Sequence, residues 1–481
     1  MRRLSSILLF SMAVLTFTVC VSQAKAQTYL NTVGDPSFGV NVPVPNGYIN
    51  IGNGNLHLEF PLATLKQRGD LKLNERLVYD SRIWDIVHYS GYYWWPLNIP
   101  NAQLGWRYVQ GNETGTLGVS ASQIQDTSCW NGTYNDPYTI TTTYYSWTDP
   151  QGTVHPFSAY LTSEDVPYGC QGVQGGPAAS GYSGYATDAS GYFATVTTDA
   201  YGNANVTVKD NSGTQVYPQV IDRYGNYWSS DGNQNLIDDL GRTPVIQTVN
   251  GNVTYYDVLA PNGPIQNNGT RVRYTVTYAY YPISTAFNQP GVVEYQNNGG
   301  NPPLSKLAIQ SIQLPDGSSY QFTYDTYGEI QSETLPTGGV VNFGWSNYTD
   351  SYSNVNRWIT SSTINNATTY YNPAVISTCN SLSTGCQESV TLQRPSGDAT
   401  LYALTLDNGA WDVNTTIYQG GVAANQPKLA SVDGYNFTQP CTIPGCAGAQ
   451  NIYKSSEINT LPDANIATQV LSNYKYPERA R

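Results

Sequence analysis

The sequence predicts an all-β protein built from antiparallel β-hairpins. Tyrosine (40 residues), which favours strands, and glycine (44 residues), which favours turns, are both abundant. Short segments of alternating apolar and polar residues are separated by Asp-x-x-Gly strings, as in consecutive hairpins. An aromatic content of 12% argues against disorder. The 481 residues suffice for two or three domains with their own cores.

The first residues have the organisation of a secretory signal peptide. Two arginines precede an apolar run from residue 7 to about 19, and Ala24-Lys25-Ala26 supplies a small-x-small cleavage site. We therefore expect cleavage after Ala26 and a secreted or otherwise extracytoplasmic protein. A lipoprotein anchored at Cys20 is the alternative, which the bulky Val19 disfavours. No later run reaches the roughly 18 apolar residues of a membrane helix, so no transmembrane segment is predicted after signal removal.

Charge and cysteine content narrow the partners and the compartment. The net charge is −12 with only 22 Lys+Arg, whereas nucleic-acid binding needs clustered cations, so no nucleic-acid partner is predicted. Six cysteines remain after signal removal, an even number suited to disulfides in an oxidising compartment. Several connectivities and a zinc site stay open, although zinc would need tighter pairs or nearby histidines. We favour local pairing, as Cys129 with Cys170, Cys379 with Cys386 and Cys441 with Cys446.

Residues 27–185 are predicted to form an aromatic-rich N-terminal β-domain. Six of the ten tryptophans precede residue 150. Asn53-Gly54 predicts a hairpin turn, followed by Leu56, Leu58 and Phe60 on one strand face. A nucleotide fingerprint at Gly52-Asn-Gly54 would need a third glycine and a following helix, so the hairpin is favoured.

Four consecutive aromatic residues in this region form the candidate ligand surface. Aromatic rings can stack on sugar rings, so an extracellular carbohydrate-binding protein is one hypothesis. The alternative, which the sequence favours, is a core strand or an edge packed against the next domain. The residues of this candidate glycan contact are Tyr92, Tyr93, Trp94 and Trp95.

Residues 186–345 are predicted to form a β-meander. Asp-x-x-Gly strings recur at intervals of 11 to 16 residues, and such a spacing accommodates one strand and one four-residue turn. They begin at Asp188, Asp199, Asp210, Asp222 and Asp238.

The strongest hairpin signal lies between residues 312 and 345. Tyr320, Phe322 and Tyr324 alternate with polar residues, which predicts one aromatic strand face. Asp325 and Gly328 then occupy the first and last positions of a predicted type I turn, in which the aspartate side chain accepts backbone N–H groups.

This string, Tyr324-Asp325-Thr-Tyr-Gly328-Glu-Ile330, resembles the tyrosine–aspartate (YD) repeat of the RHS family, whose core is Tyr-Asp-x-x-Gly followed by an apolar residue. In that family, YD hairpins curl into a shell around a toxic domain or form surface assemblies. The resemblance implies a structural repeat core at Tyr320, Phe322, Tyr324, Asp325, Gly328 and Ile330. It also implies a secreted or cell-surface scaffold without catalysis, the front part of a toxin-delivery shell, with a downstream effector domain or cell-surface glycans as partners. Residues 346–481 are then an incomplete C-terminal β-region with disulfides.

No catalytic, cofactor or metal site is predicted. The three histidines, His57, His88 and His155, lie outside any hydrolase or metalloprotease motif. The string Asp231-Gly-Asn-Gln-Asn235 has calcium-loop spacing but lacks the glycine and glutamate that such a loop requires, which leaves weak calcium binding as a minor alternative. A glycoside-acting enzyme also stays open, since it needs only two carboxylates about 5–9 Å apart.

Overall fold

The computed structural model describes residues 40–471, with gaps at 67–71, 89–90, 98–102, 110–114, 150–153, 172–174, 189, 228, 231–235, 239–240, 260–269, 298–301, 380–385, 408–409, 441–448 and 463–465. The predicted signal peptide with Ala26, the predicted Cys441–Cys446 pair and the string at 231–235 lie outside the described residues. Across the described chain the fold is all-β, which confirms the predicted fold class.

The strands follow one another as short hairpin arms. The first seventeen are β1 (Asn41–Val44), β2 (Gly47–Asn50), β3 (Leu56–Lys66), β4 (Lys72–Asp80), β5 (Trp84–His88), β6 (Tyr92–Pro96), β7 (Trp106–Val109), β8 (Thr116–Trp130), β9 (Asn135–Thr148), β10 (Val154–Val166), β11 (Gly176–Tyr182), β12 (Gly184–Tyr185), β13 (Phe193–Thr198), β14 (Ala204–Lys209), β15 (Gln215–Tyr217), β16 (Ser229–Ser230) and β17 (Leu236–Ile237).

The remaining strands are β18 (Val245–Asn250), β19 (Val253–Leu259), β20 (Arg271–Pro282), β21 (Val292–Val293), β22 (Ser305–Gln313), β23 (Ser319–Tyr324), β24 (Ile330–Thr334), β25 (Val340–Thr349), β26 (Val355–Ile364), β27 (Ala367–Val375), β28 (Gln387–Gln393), β29 (Ala399–Asp407), β30 (Ala410–Tyr418), β31 (Pro427–Pro440), β32 (Ala449–Leu461) and β33 (Ile466–Leu471). Two single 3-10 turns, Tyr295–Asn297 and Val422–Ala424, are the helical elements of the described residues. No helix in this part of the chain has the length and apolar character needed to cross a membrane.

One sheet dominates the architecture. It contains fifteen antiparallel strands, β18 to β33 without β21, and each strand pairs with its neighbour in sequence. The N-terminal strands form a five-stranded sheet in the order β1-β2-β3-β4-β7, and β5 and β6 form a small sheet with β21, which runs parallel to β6. The strands that lie between β7 and β18 in sequence form two four-stranded sheets, β11-β10-β9-β8 and β12-β13-β14-β15, and the pair β16-β17.

The Asp-x-x-Gly strings form tight turns, as predicted. The glycine N–H donates to the aspartate carbonyl at 2.9–3.1 Å, and the aspartate N–H donates to the carbonyl of the residue after the glycine at 2.8–3.0 Å. The glycines have φ between 71° and 87°, a left-handed conformation that suits a residue without Cβ. This is a type I turn followed by a bulge, which reverses the chain between two strands. Turns of this kind begin at Asp199, Asp210, Asp222, Asp238 and Asp325.

Among the described residues, two large hydrophobic cores hold these sheets together, and a small third cluster contains Cys129, Val166 and Cys170. In the larger core, Leu58 and Trp106 of the N-terminal sheet pack with Phe322, Ile330 and Trp358 of the fifteen-stranded sheet. The predicted hairpin and its apolar face are confirmed, since β2 pairs with β3 and the Leu56, Leu58 and Phe60 side chains are buried.

The smaller core lies between the two four-stranded sheets. It includes Trp147, Phe157, Val196 and Val208. Its members run from Tyr145 to Val216 and so lie on both sides of residue 185, while the larger core combines residues from before 110 with residues after 244.

Candidate functional site

The segment from Tyr320 to Ile330, called the YD-type unit below, packs in the larger core. The Asp325 side chain accepts the backbone N–H groups of Tyr327 and Glu329, both at 2.9 Å. Gly328 has φ of 80°, and a Cβ there would meet the Leu104 side chain at 3.0 Å. Aspartate and glycine are therefore both needed by this turn, one for its acceptor and the other for its backbone conformation.

The aromatic side chains on β23 join the two sheets. Tyr320 and Phe322 both pack edge-on against Phe60, at ring-centroid distances of 4.9 and 5.4 Å. The Tyr324 hydroxyl donates to the Ile309 carbonyl within the large sheet and accepts the Trp106 indole N–H at 2.7 Å. These three tyrosine and phenylalanine rings contact the same core, as the sequence alternation predicts.

Two further hydrogen bonds cross the same junction. The Tyr79 hydroxyl accepts the backbone N–H of Ile330 at 3.0 Å, and the Trp84 indole donates to the Tyr327 carbonyl at 2.9 Å. Ile330 itself is fully buried. The repeat core therefore serves as the contact surface for the N-terminal strands, in addition to its role within the sheet.

An arginine lies against the YD-type turn. The Arg357 guanidinium donates to Glu329 and Asp325 at 2.6–3.1 Å, and it lies 3.8 Å from the centroid of the Tyr327 ring. Burial raises the pKa of Glu329 to about 8, and the nearby Asp325 adds to this rise while Arg357 opposes it. One guanidinium thus binds two carboxyl groups, and these bonds hold the turn against β26.

The structure places His57 in a buried polar cluster. His57 Nδ1 lies 2.8 Å from Asp80 Oδ1, and Asp80 also accepts from Arg107 and, at 2.8 Å, from Asn55. Tyr48 stacks on the imidazole at 4.7 Å. Burial lowers the pKa of His57, but the charge and hydrogen bond of Asp80 outweigh burial and raise it to about 9. The protonated His57 side chain thus forms a structural ion pair with Asp80.

His155 forms a similar cluster beside the smaller core. Its two ring nitrogens lie 2.5 Å from Asp188 and 3.3 Å from Asp149, both first residues of Asp-x-x-Gly strings. Burial opposes protonation, yet hydrogen bonds and charge from the two aspartates raise the pKa of His155 to about 9. The third histidine, His88, lies exposed at the end of β5 and packs against Tyr92 at 4.8 Å.

The predicted glycan-contact residues lie on β6. Trp94 is 4% exposed and stacks on Phe287 at 3.7 Å, while Trp95 packs edge-on against Tyr295 at 5.4 Å. Tyr93 is partly buried and Tyr92 is 48% exposed. The two tryptophans therefore hold β6 against the segment after β20, as the packing alternative expects, and Tyr92 is the ring of this motif that faces solvent.

A small cleft opens beside Trp94. Its lining includes the Arg82 and Arg357 side chains and the aromatic rings of Trp84, Trp94 and Phe287. The Arg82 guanidinium is buried and donates to Asn356 at 3.0 Å, and burial lowers its pKa to about 10. Both guanidinium groups are thus occupied by protein acceptors.

Two of the three predicted cysteine pairs are at disulfide distance. Cys129 is joined to Cys170 and Cys379 to Cys386, with Cα–Cα distances of 5.5 and 5.2 Å. The first pair closes the far end of the sheet that contains β8, and the second closes the loop between β27 and β28. Among the described residues, no group of three His, Cys, Asp or Glu side chains is arranged to hold a metal ion.

Sequence reasoning missed the charged clusters. Asp80, Arg107 and Arg357 lie on three different strands and carry no motif, so nothing in the sequence indicates that they meet His57 and Glu329. The available signal is indirect: Glu329 directly follows the turn glycine, and Arg107 directly follows a tryptophan that the aromatic content places in the core.

Comparisons with known proteins identify no family. A scan against protein-family models finds no match to this chain. A search of curated proteins finds no relative either.

Proposed function

We propose that this protein is a structural scaffold of the secreted or cell-surface class, of the RHS/YD type and without a reaction of its own. The observation that carries the proposal is the shared core. The aromatic residues of the YD-type unit pack the N-terminal sheet against the fifteen-stranded sheet, whose strands are continuous. A long meander with one covered face has the construction of a wall.

The buried charges support the same function. Catalytic acids and bases are held beside open space, where a substrate can reach them. The carboxyl group of Glu329 and the imidazoles of His57 and His155 are instead buried and paired with arginine or aspartate. The pKa values of the two histidines are raised by their aspartate partners and that of Glu329 is raised by burial, and structural groups frequently show such shifts. The glycoside-acting alternative would need a pair of carboxylates lining an open cleft.

The resemblance of the YD-type unit extends the proposal to an assembly. A wall of this kind would form the front part of a toxin-delivery shell, with a downstream effector domain as its partner. The residues of the repeat core support this proposal, because Asp325 and Gly328 form the turn while the other four pack in the larger core.

The test combines export and activity. Expressed with its leader in a bacterial host, the protein is expected outside the cytoplasm with Gln27 as its first residue. The purified product is expected to leave polysaccharide, glycoside, ester and peptide substrates unchanged. Turnover at enzyme-like rates of about 1 s⁻¹ or more would overturn the scaffold proposal. Retention in the cytoplasm would overturn the secreted assignment.

Carbohydrate binding is the second candidate, and a row of tyrosines favours it. Tyr144, Tyr160 and Tyr182 are cross-strand neighbours on β9, β10 and β11, with ring centroids 5.4 and 4.4 Å apart. Tyr182 is 46% exposed at the edge of this row. A glycan array would test this candidate: binding that Tyr182→Ala abolishes supports it, and an array without signal contradicts it.

A further inference from the structure

The longest edge strand of the described structure is β8. It has 15 residues and lies at the end of the order β11-β10-β9-β8. No strand of the described residues pairs with its outer side. Every second residue of an antiparallel edge strand directs its N–H and C=O outward, so β8 offers a long row of backbone hydrogen-bonding groups.

The other sheet edges are short or blocked. The edge strands β1, β7 and β15 have four, four and three residues, and β18 and β33 have six each. The opposite edge of the same sheet, β11, has seven residues and contains Pro177, which lacks an N–H. Short edges and proline are the usual protection against pairing with another chain. β8 contains neither proline nor lysine, and it is more than twice as long as any of these strands. Its pairing with β9 shifts register once, at a bulge between Val119 and Ala121, and is regular from there to Trp130.

The outer part of β8 is also exposed on both faces. All five residues from Ser122 to Asp126 are exposed, and Val119 and Ile124 are 61% and 72% exposed. The Cys129–Cys170 disulfide holds the far end of the strand in place, and the Trp130 carbonyl accepts the Gln171 N–H at 2.7 Å. The strand is therefore held in an extended conformation, which lowers the conformational entropy cost of pairing.

The charge pattern of β8 is compatible with a second copy of the same strand as its partner. Asp126 is the only charged residue of β8. If two copies of the strand pair antiparallel around Ile124, Asp126 of each copy faces Ser122 of the other. Self-pairing therefore brings no like charges opposite each other, and its twofold symmetry closes after two chains.

We propose that a second copy of this chain docks on β8, so that two β8 strands pair antiparallel and join two four-stranded sheets into one continuous eight-stranded sheet. The contact consists of main-chain hydrogen bonds, with the exposed Ile124 side chains adding an apolar contact at the twofold axis. The assembly is a homodimer, and it leaves the fifteen-stranded sheet and the YD-type unit free.

Light scattering after size-exclusion chromatography of the mature protein tests this proposal. The wild type is expected to be a dimer at about 10–100 µM. Ile124→Lys places lysines beside the twofold axis and is expected to give a folded monomer with unchanged circular dichroism. Ala178→Lys, an equally exposed change on edge strand β11, is the matched control and should remain dimeric.

Proline substitutions locate the edge itself. Gln123→Pro and Ile124→Pro remove adjacent N–H groups, of which one points toward β9 and the other outward. One variant is expected to be a folded monomer, and the other should lose stability because it breaks the pairing of β8 with β9. A monomeric wild type over the whole range, a dimer that survives Ile124→Lys, or growth beyond the dimer would each overturn the proposal.

Discussion

The Trp106 indole donates a 2.7 Å hydrogen bond to the phenol oxygen of Tyr324, 218 residues further along the chain. This bond joins the last strand of the N-terminal sheet to the YD-type unit of the large sheet. The same hydroxyl donates to the Ile309 carbonyl, so one phenol group connects both sheets.

Removal of the Tyr324 ring should therefore leave a cavity and also leave the Trp106 N–H without its partner. We expect Tyr324→Ala to lower the free energy of unfolding by about 3–5 kcal/mol. Tyr324→Phe keeps the ring but leaves the Trp106 N–H unpaired, and should cost about 1–2 kcal/mol. Chemical denaturation measures both. The exposed Tyr280→Phe is the control, and an equally large loss there would contradict the role of the hydroxyl.

Asp325 should contribute more than an ordinary turn aspartate. Besides two backbone N–H groups it binds Arg357, whereas Asp210 accepts from the same two turn positions without an arginine. The sequence alone predicts a loss of about 1 kcal/mol for Asp325→Ala, and the structure raises this to about 2–3 kcal/mol. Asp210→Ala is expected to cost about 1 kcal/mol. Equal losses in urea denaturation would show that Arg357 adds nothing.

Trp94 should behave as a core residue. Its ring is buried against Phe287, so Trp94→Ala is expected to lower the free energy of unfolding by about 3–5 kcal/mol. The 48%-exposed Trp130 provides a matched control, and Trp130→Ala should change stability little. If the Trp94→Ala protein is folded and equally stable but no longer binds glycan, Trp94 belongs to a ligand surface and not to the core.

Stability should fall as the pH rises from about 6.5 to 9. The pKa values of His57 and His155 are both raised to about 9 in the folded protein by their aspartates, which outweigh burial. A raised histidine pKa contributes stability that is complete below the unfolded value of 6.5 and is lost as the pH passes through the folded value. Thermal unfolding between these pH values measures the slope. His57→Gln should reduce the slope, and a slope that stays the same in this variant would contradict the role of His57.

A buried glutamate adds a separate pH dependence. Burial raises the pKa of Glu333 from 4.5 to about 7, and the hydrogen bond from Asn46 opposes this rise. A carboxyl with a raised pKa costs stability increasingly above its unfolded value. Glu333→Gln should therefore stabilise the protein by about 2–3 kcal/mol at pH 8 and little at pH 4. Equal effects at both pH values would contradict this assignment.

Local features of the fold were predictable from the sequence, because they depend on neighbouring residues. The hairpin at Asn53-Gly54, the turn at Asp325 and the aromatic face of β23 all follow from turn chemistry and alternation. Cysteine spacing also sufficed for Cys379–Cys386, and Cys129–Cys170 followed as the remaining pair. Apart from Cys129–Cys170, which spans three strands, each of these features is set within one or two neighbouring elements.

The charged clusters were not predictable, because their partners come from distant strands. Alternation correctly placed His57 on the face opposite Leu58, but such a position normally faces solvent. Only the fold shows that Tyr48, Asp80 and Arg107 cover it. In the same way, the aromatic run at 92–95 fits either a ligand surface or a packed strand, and only the fold shows that Trp94 stacks on Phe287.

Native-state amide hydrogen exchange tests most directly whether the N-terminal sheet and the fifteen-stranded sheet form one structural unit. If they share a core, the buried amides of β3, β4 and β7 should exchange with the same opening free energy as those of β22 to β26, and Tyr324→Ala should lower all of them together. Exchange of β3, β4 and β7 through a separate opening, unaffected by Tyr324→Ala, would contradict the shared core and the scaffold built on it.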